Sequence, residues 1–540
     1  MSSDISYVTY TLLAVVAGLI FVPVFLDGEP DGPPMALLHQ SSVGPTRHKN
    51  ESAIHRSRET PVGFPLRQGL GIQEGYSKRN GDVRDIWRVF MQKIGHLHTI
   101  LGNDKVVHSI DTLDAEIDTL GHYISGLPTN SQRKAIAVYL PNSAENLIAG
   151  FEACAFHDFT FVPIEYPAEP EIIADKLRAS NAEILIMPAA SLDINDLNVS
   201  TLLKHVILVV EEGSRHLDFA ADPDAKVTLK EWHDIAANGQ KATRPEKIDE
   251  SQPHMIVFSK DLKLQKAVTV PYSHVNIVAA VSAQATAPAP KDQFKPTDIF
   301  TPASTLADQF TRILTYTAML SGCTITINAV TPPSGSLQSS CGNALPSIIV
   351  VPADSLSDIG RLSKAAQVEI FHEWMHVYQL RKLTRYGQVP QHSAFARFND
   401  YDRPNLGRNL RLIYVAENPA EGTKPITCNR LNDIRAIFFS KVVYALTYPP
   451  AAAGAITQTT SFDYRPGEDT ATFNESHLGA PLSCVEVKLR DAGEYTAEHE
   501  DGPMGEIVIA GPSVTSSGEY ATGIIARWRS DGCLSMGSKA

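Results

Sequence analysis

The stretch that decides the fold is Ile136–Ile186, IAVYLPNSAENLIAGFEACAFHDFTFVPIEYPAEPEIIADKLRASNAEILI. Its first apolar run is too short for a helix and stops at Pro141, whereas SAENLIAGFEACAFH, from Ser143, spaces apolar residues three and four apart as a helix with one buried face does. FTFVPI (Phe159–Ile164) is again a short apolar run, PEIIADKLRASN (Pro170–Asn181) again helical, and AEILIMP and HVILVVE, from Ala182 and His205, repeat the strand pattern. Strands apolar on nearly every residue are covered on both faces, and helical crossovers between them make their pairing parallel. A layered α/β fold follows.

Beyond Leu478 the character changes. CVEVKLRD and GEIVIAG, separated by Gly-rich turns, predict short antiparallel strands in a barrel-like piece at about 478–540. With 540 residues, 43% of them apolar and 20% charged, the chain is globular and large enough for two or three subdomains. Its net charge of −13 excludes a general nucleic-acid binder, which needs a basic surface, and leaves small molecules or proteins as partners. The six cysteines form no CxxC pair, so they read as buried thiols of a reducing compartment.

The N-terminus stands apart. Residues 1–4 are a short tail, and Ile5–Leu26, ISYVTYTLLAVVAGLIFVPVFL, carries no charge. As a helix that run would reach roughly 33 Å, enough for a bilayer core of about 30 Å, and predicts a single transmembrane anchor. Residues 27–50, rich in Pro, Gly and polar side chains, read as a linker, and 51–540 as the body. Arg47, Lys49 and Arg56 follow the span, which points to a single-pass protein of the endoplasmic reticulum with its body in the cytosol. The sequons at Asn50, Asn198 and Asn474 are then expected to stay unglycosylated.

Several segments resemble, in the same order, the AMP-dependent synthetase/ligase family, whose members activate a carboxylic acid as an acyl-adenylate. Besides the opening stretch, these are MIVFSKDLKLQKAVTVPYSHVNIVAA (Met255–Ala280), LRLIYVAENP (Leu410–Pro419), VVYALTYPPAAAGAITQT (Val442–Thr459) and LGAPLSCVEVKLRD with GPMGEIVIAGPSV (from Leu478 and Gly502). ESAIHRS (Glu51–Ser57) leans toward membrane-bound long-chain acyl-CoA synthetases. The resemblance implies an αβαβα large domain, ATP or AMP and magnesium as cofactors, and an acyl or nucleotide ligand. By the same resemblance the chain ends, at MGSKA, about where the family's small C-terminal domain would begin.

The residues that carry the family's chemistry are altered. Its phosphate loop, approximately SGSTGxPKG, reads SKDLKLQKA here: Ser259 and Lys266 match, Lys260, Lys263 and Ala267 replace glycines, Asp261 and Leu262 replace the hydroxyl pair, and Gln265 replaces proline. Such loops cradle phosphate with backbone N–H groups that only glycine leaves open. In YALTY, Tyr444 and Thr447 match the family's YGxTE, but Tyr448 stands for the acidic magnesium ligand and Ala445 for the glycine. Ala416 and Glu417 replace two glycines facing adenine; Thr522 and Gly523 are kept, while Ile524 takes the place of a ribose-binding aspartate. The residual candidates are Lys266 and Thr447 for catalysis, with Ser259, Tyr444 and Gly523 beside them for nucleotide binding.

One further motif competes. His372-Glu373-Trp374-Met375-His376 fits HExxH, in which two histidines one turn apart hold zinc. It lies inside the ligase-like pattern, and the nearest downstream carboxylates, Asp400 and Asp402, carry no metalloprotease signature, so no metal site is expected. The reading is a membrane-anchored, AMP-binding ligase-like protein related to fatty acyl-CoA ligases, weak or inactive in catalysis, with a protein partner open. An active acyl-CoA ligase completed by another chain is the alternative, and a zinc metalloprotease a remote one.

Overall fold

The opening stretch forms the strands Ala135–Val138, Thr160–Pro163 and Ile184–Pro188, which pair parallel with Ala135–Val138 in the middle. Between the first two, Ser143 accepts from the amide of Asn146 and so starts a helical segment. That segment ends at Asp158, whose φ of 60° turns the chain back into the sheet. Helix Pro170–Ser180 begins on proline and stops at left-handed Asn181. The computed structural model describes all residues except 1–6, 26–28, 193–201, 211–226, 240–242, 250–251, 358–369, 391–405, 467–475, 499–501, 537–540 and positions 103, 132, 190, 238, 333 and 408.

These strands belong to a seven-stranded sheet that runs out to His205–Val209 and Thr228–Glu231 on one side. On the other side it ends in the antiparallel hairpin Met255–Asp261/Lys266–Tyr272. A nine-stranded sheet has a parallel centre, Lys441–Thr447, Leu412–Glu417, Ile348–Pro352, Ile299–Pro302, Thr324–Asn328 and His96–Leu101, with antiparallel strands at both ends. Helices His274–Thr286 and Gln309–Ser321 are buried along most of their length, as a layer packed between sheets must be. The expected layered α/β architecture is present.

A six-stranded antiparallel sheet forms the barrel-like piece from Glu486–Arg490, Met504–Ala510, Tyr520–Trp528 and Leu534–Met536, joined by Ser41–Val43 and His55–Ser57. Ser41–Val43 corrects the sequence reading. Residues expected as a linker over 27–50 are in part a piece of the body: Ser41–Val43 pairs with His55–Ser57, the Gln40 amide donates to Asp463 at 2.9 Å, and Asp31 accepts from Tyr464 at 2.8 Å. Polar composition concealed Ser41–Val43 because an edge strand needs few apolar residues. The barrel meets the nine-stranded sheet at Leu478: its amide donates to the Leu534 carbonyl at 2.7 Å, while Ala480–Pro481 pairs at the edge of the nine-stranded sheet.

The apolar N-terminal run forms helix Tyr7–Phe25 of 19 residues. At 1.5 Å per residue that is about 28 Å, just short of a bilayer core of about 30 Å. Among the described residues, no helix is long and apolar enough to cross a membrane. All six cysteines are buried free thiols.

Candidate functional site

Both large sheets end on one cleft of about 320 Å³. Pro163, Val350–Pro352, Ala416 and Thr447 bring it to the carboxyl ends of parallel strands, where open α/β sheets hold their ligands. Phe258 and Val257 of the hairpin line one side, and the residues that start helix Gln309–Ser321 line another.

The hairpin is the altered phosphate loop. Met255–Asp261 and Lys266–Tyr272 pair in register to Asp261↔Lys266, which leaves Leu262–Gln265 as the turn. A carboxylate of the chain fills the turn's own amide nest: one Asp261 oxygen accepts from the amides of Lys263 (2.8 Å) and Leu264 (2.9 Å), and the other from the Tyr520 hydroxyl. Burial raises the Asp261 pKa, but these hydrogen bonds and the Lys263 ammonium outweigh it and hold the carboxyl below its usual value. The amide of Leu262 donates to the Tyr448 hydroxyl at 3.1 Å. Tyr448, read as a lost metal ligand, thus ties the turn to the neighbouring sheet.

The other candidates separate. Ser259 sits mid-strand with a buried hydroxyl that has no hydrogen-bond partner, while Lys266 is exposed at the base of the turn. Thr447 lines the cleft and donates to the Glu417 carbonyl at 3.2 Å. Tyr444 points into the core, where its hydroxyl donates to the Glu417 carboxyl and accepts from the amide of Ile426 at 3.0 Å. Burial pushes the Glu417 carboxyl up to about 7, against the lowering effect of that hydrogen bond. Gly523 has φ +77°, its amide donates to Glu506 at 2.8 Å, and a Cβ there would lie 3.3 Å from the Lys263 amide, so the barrel closes on the hairpin tip. Ile524 is core.

Fit to a nucleoside triphosphate can be judged from these atoms. The amides that would cradle phosphate already hold a carboxylate and a phenol, and Tyr448 supplies no anionic oxygen for magnesium. The residues present do not fit ATP·Mg, and no step is derived through it.

The HExxH stretch lies on helix Ile370–Tyr386. The side chains of His372 and Glu373 are outside the described residues, and His376 bonds to Asp433 at 3.1 Å. Among the described residues, the metal-type cluster is instead Asp463, His477 and Cys533. There Asp463 already accepts from Arg465, Gln40 and His477, so a guanidinium balances its charge. The cluster fastens the barrel to the body. Sequence reading missed it because its members are 70 residues apart, from Asp463 to Cys533.

Residues 266–517 match the family described as AMP-binding enzyme. The Saccharomyces cerevisiae protein YHR045W is 24% identical over 545 residues, covering 94% of this chain and 90% of its own. Among solved structures, a long-chain-fatty-acid-CoA ligase (FadD1) from Archaeoglobus fulgidus superposes with a TM-score of 0.62 at 13% identity, over 89% of this chain and 86% of that one. The anthranilate CoA ligase AuaEII, solved with anthranoyl-AMP, gives 0.59 at 13% identity over 84% and 77%. At such identities the structures establish a shared fold.

Proposed function

We propose that this chain, whose residues 266–517 match the AMP-binding enzyme family, is a membrane-anchored relative of fatty acyl-CoA ligases that keeps the binding cleft but does not adenylate carboxylates. The observation that carries this reading is Asp261 in the amide nest of the altered loop, with Tyr448 on the next amide. An incoming phosphate would have to displace a charged group from preorganised donors and then sit beside it as a like charge. Losing one such donor set typically costs about 10²–10³ in rate, and losses acting on one transition state leave little beyond proximity.

The membrane anchor is read from the uncharged run 5–26, whose helix lies ahead of the body. The body is placed in the cytosol, at the endoplasmic reticulum. Supporting the cytosolic placement, the cysteines are buried as free thiols. The deciding experiment for the chemistry is carboxylate-dependent exchange of pyrophosphate into ATP, over short, medium and long acids. No exchange above background is expected. Robust exchange that disappears in Lys266→Ala or Thr447→Ala would overturn the reading and restore an active acyl-CoA ligase.

A further inference from the structure

We propose that the buried pair His254–His274 is a pH-sensitive clasp, which fastens the base of the hairpin Met255–Tyr272 at neutral pH and loosens it on acidification.

The two histidines bracket the hairpin, His254 just before its first strand and His274 just after its second, as the first residue of helix His274–Thr286. Their ring centroids are 4.3 Å apart, and the residues are 1% and 5% exposed. The base is where the hairpin hinges on the body. It joins the seven-stranded sheet at the register pair Met255↔Phe161, beside the Phe161 amide that donates to the His254 carbonyl at 2.8 Å. Its other fastening is the tip, held by Tyr448 and Tyr520.

The geometry of the pair requires neutral rings. His274 Nδ1 accepts from the Val83 amide at 3.4 Å, so the neutral ring carries its hydrogen on Nε2. A second proton would set N–H against N–H and break this tie to helix Val83–Gln92. The cation would also sit at the positive end of the macrodipole of helix His274–Thr286. His254 Nδ1 and His274 Nε2 have no hydrogen-bond partner among the described residues, so no carboxylate is in place to receive the charge.

Charged groups face the pair from three sides: Asp82 and Arg84 at the start of helix Val83–Gln92, Arg133 ahead of strand Ala135–Val138, and Arg312 on helix Gln309–Ser321. Asp82 spends both carboxylate oxygens on Arg84, which leaves these surroundings cationic. Burial brings the His274 imidazole down to about 4, opposed by Asp82 and helped by Arg133 and Arg84. Burial likewise holds His254 well below its ordinary value, with His274, Arg133 and Arg312 adding to the effect. Both values being depressed, the clasp is intact above the ordinary histidine pKa of about 6.5 and weakens as pH falls from there toward about 4. A cavity of about 600 Å³ lined by Gln252, Pro253, Pro271 and Ser273 borders the base and gives a loosened pair a path to solvent.

Hydrogen exchange read by mass spectrometry tests this on the full chain in detergent, at about pH 7.5 and pH 5.5, with labelling times scaled to the intrinsic exchange rate. Amides of the base, in Met255–Val257, Val270–Tyr272 and around Val83, should open ~10-fold more often at the lower pH if one ring takes up a proton on opening, and ~100-fold more if both do. The tip amides of Lys263 and Leu264 and those of strand Ala135–Val138 serve as the internal reference. The double variant His254→Phe/His274→Asn keeps a ring and an acceptor for the Val83 amide but takes up no proton, and should abolish the pH dependence of the base. If that variant melts early at neutral pH, His254→Phe alone is read in the same way and should leave a change of ~10-fold at most. Equal protection of the base at both pH values in the wild type overturns the proposal. So does a loss shared equally by strand Ala135–Val138, or a pH dependence that survives in the double variant.

Discussion

Glu417 is the residue at which sequence and structure say different things. In the sequence it is an intruder where the resemblance asks for glycine beside adenine; in the fold it is a core group, 2% exposed, facing Tyr444. Its pKa is raised to about 7, so between the unfolded value near 4.3 and about 7 the native state holds a proton that the unfolded chain has lost. Stability therefore falls as pH rises through that window and levels off above it. Glu417→Gln, which keeps an acceptor for the Tyr444 hydroxyl without the charge, should gain on the wild type by on the order of 3 kcal/mol between pH 5 and pH 8. Urea unfolding at the two pH values measures the gain, and a constant difference would show that Glu417 is ionised in the fold. Asp261 has the opposite sign. Its loss as a hydroxyl position was legible in the sequence; its service as the anion of its own turn was not, because that depends on Tyr520, a residue 259 positions away.

At the scale of elements, the strands and helices of the opening stretch were legible because apolar periodicity is a local property. Edges were not. Ser41–Val43 and His55–Ser57 are three-residue strands whose pairing partners are set by the closing barrel, and nothing in their own composition requires it. The seam between barrel and nine-stranded sheet is similarly hidden. At Gly479 the chain takes φ +71°, and a Cβ there would stand 1.8 Å from the Gln458 carbonyl oxygen. The Gly479 carbonyl meanwhile accepts from the amide of Leu534 at 2.8 Å, so the strand cannot move away without opening the barrel. Gly479→Ala combines left-handed strain with a backbone clash and should cost roughly 3 kcal/mol or more. A loss under about 1 kcal/mol in urea unfolding would show that the seam yields, and that barrel and sheet are less tightly joined than their hydrogen bonds imply.

At the scale of the whole molecule, the N-terminal helix and the body cannot be treated as distant parts. The helix ends at Phe25, while Asp31 already donates its amide to the Gly387 carbonyl and Gln40 its amide to Asp531, both at 2.8 Å. Five residues lie between Phe25 and Asp31, a reach of roughly 20 Å at full extension. On the proposed anchoring, so short a connection would hold the body against the bilayer. The full chain is expected to stay in the membrane pellet after alkaline carbonate extraction, and the form lacking residues 1–25 to appear in the supernatant with the same melting temperature, because Tyr7, Leu12, Leu13 and Val15 are exposed on the helix and not packed on the body. In a eukaryotic host no glycosidase-sensitive shift should appear. At Asn50 folding adds a second barrier, since the Ser52 hydroxyl donates to the Ala53 carbonyl and accepts from the amide of Leu489. Full-length protein in the supernatant would remove the anchor. A glycosylated form would instead keep the anchor and reverse the body into the lumen, where six buried free thiols would have to be kept reduced by the fold alone.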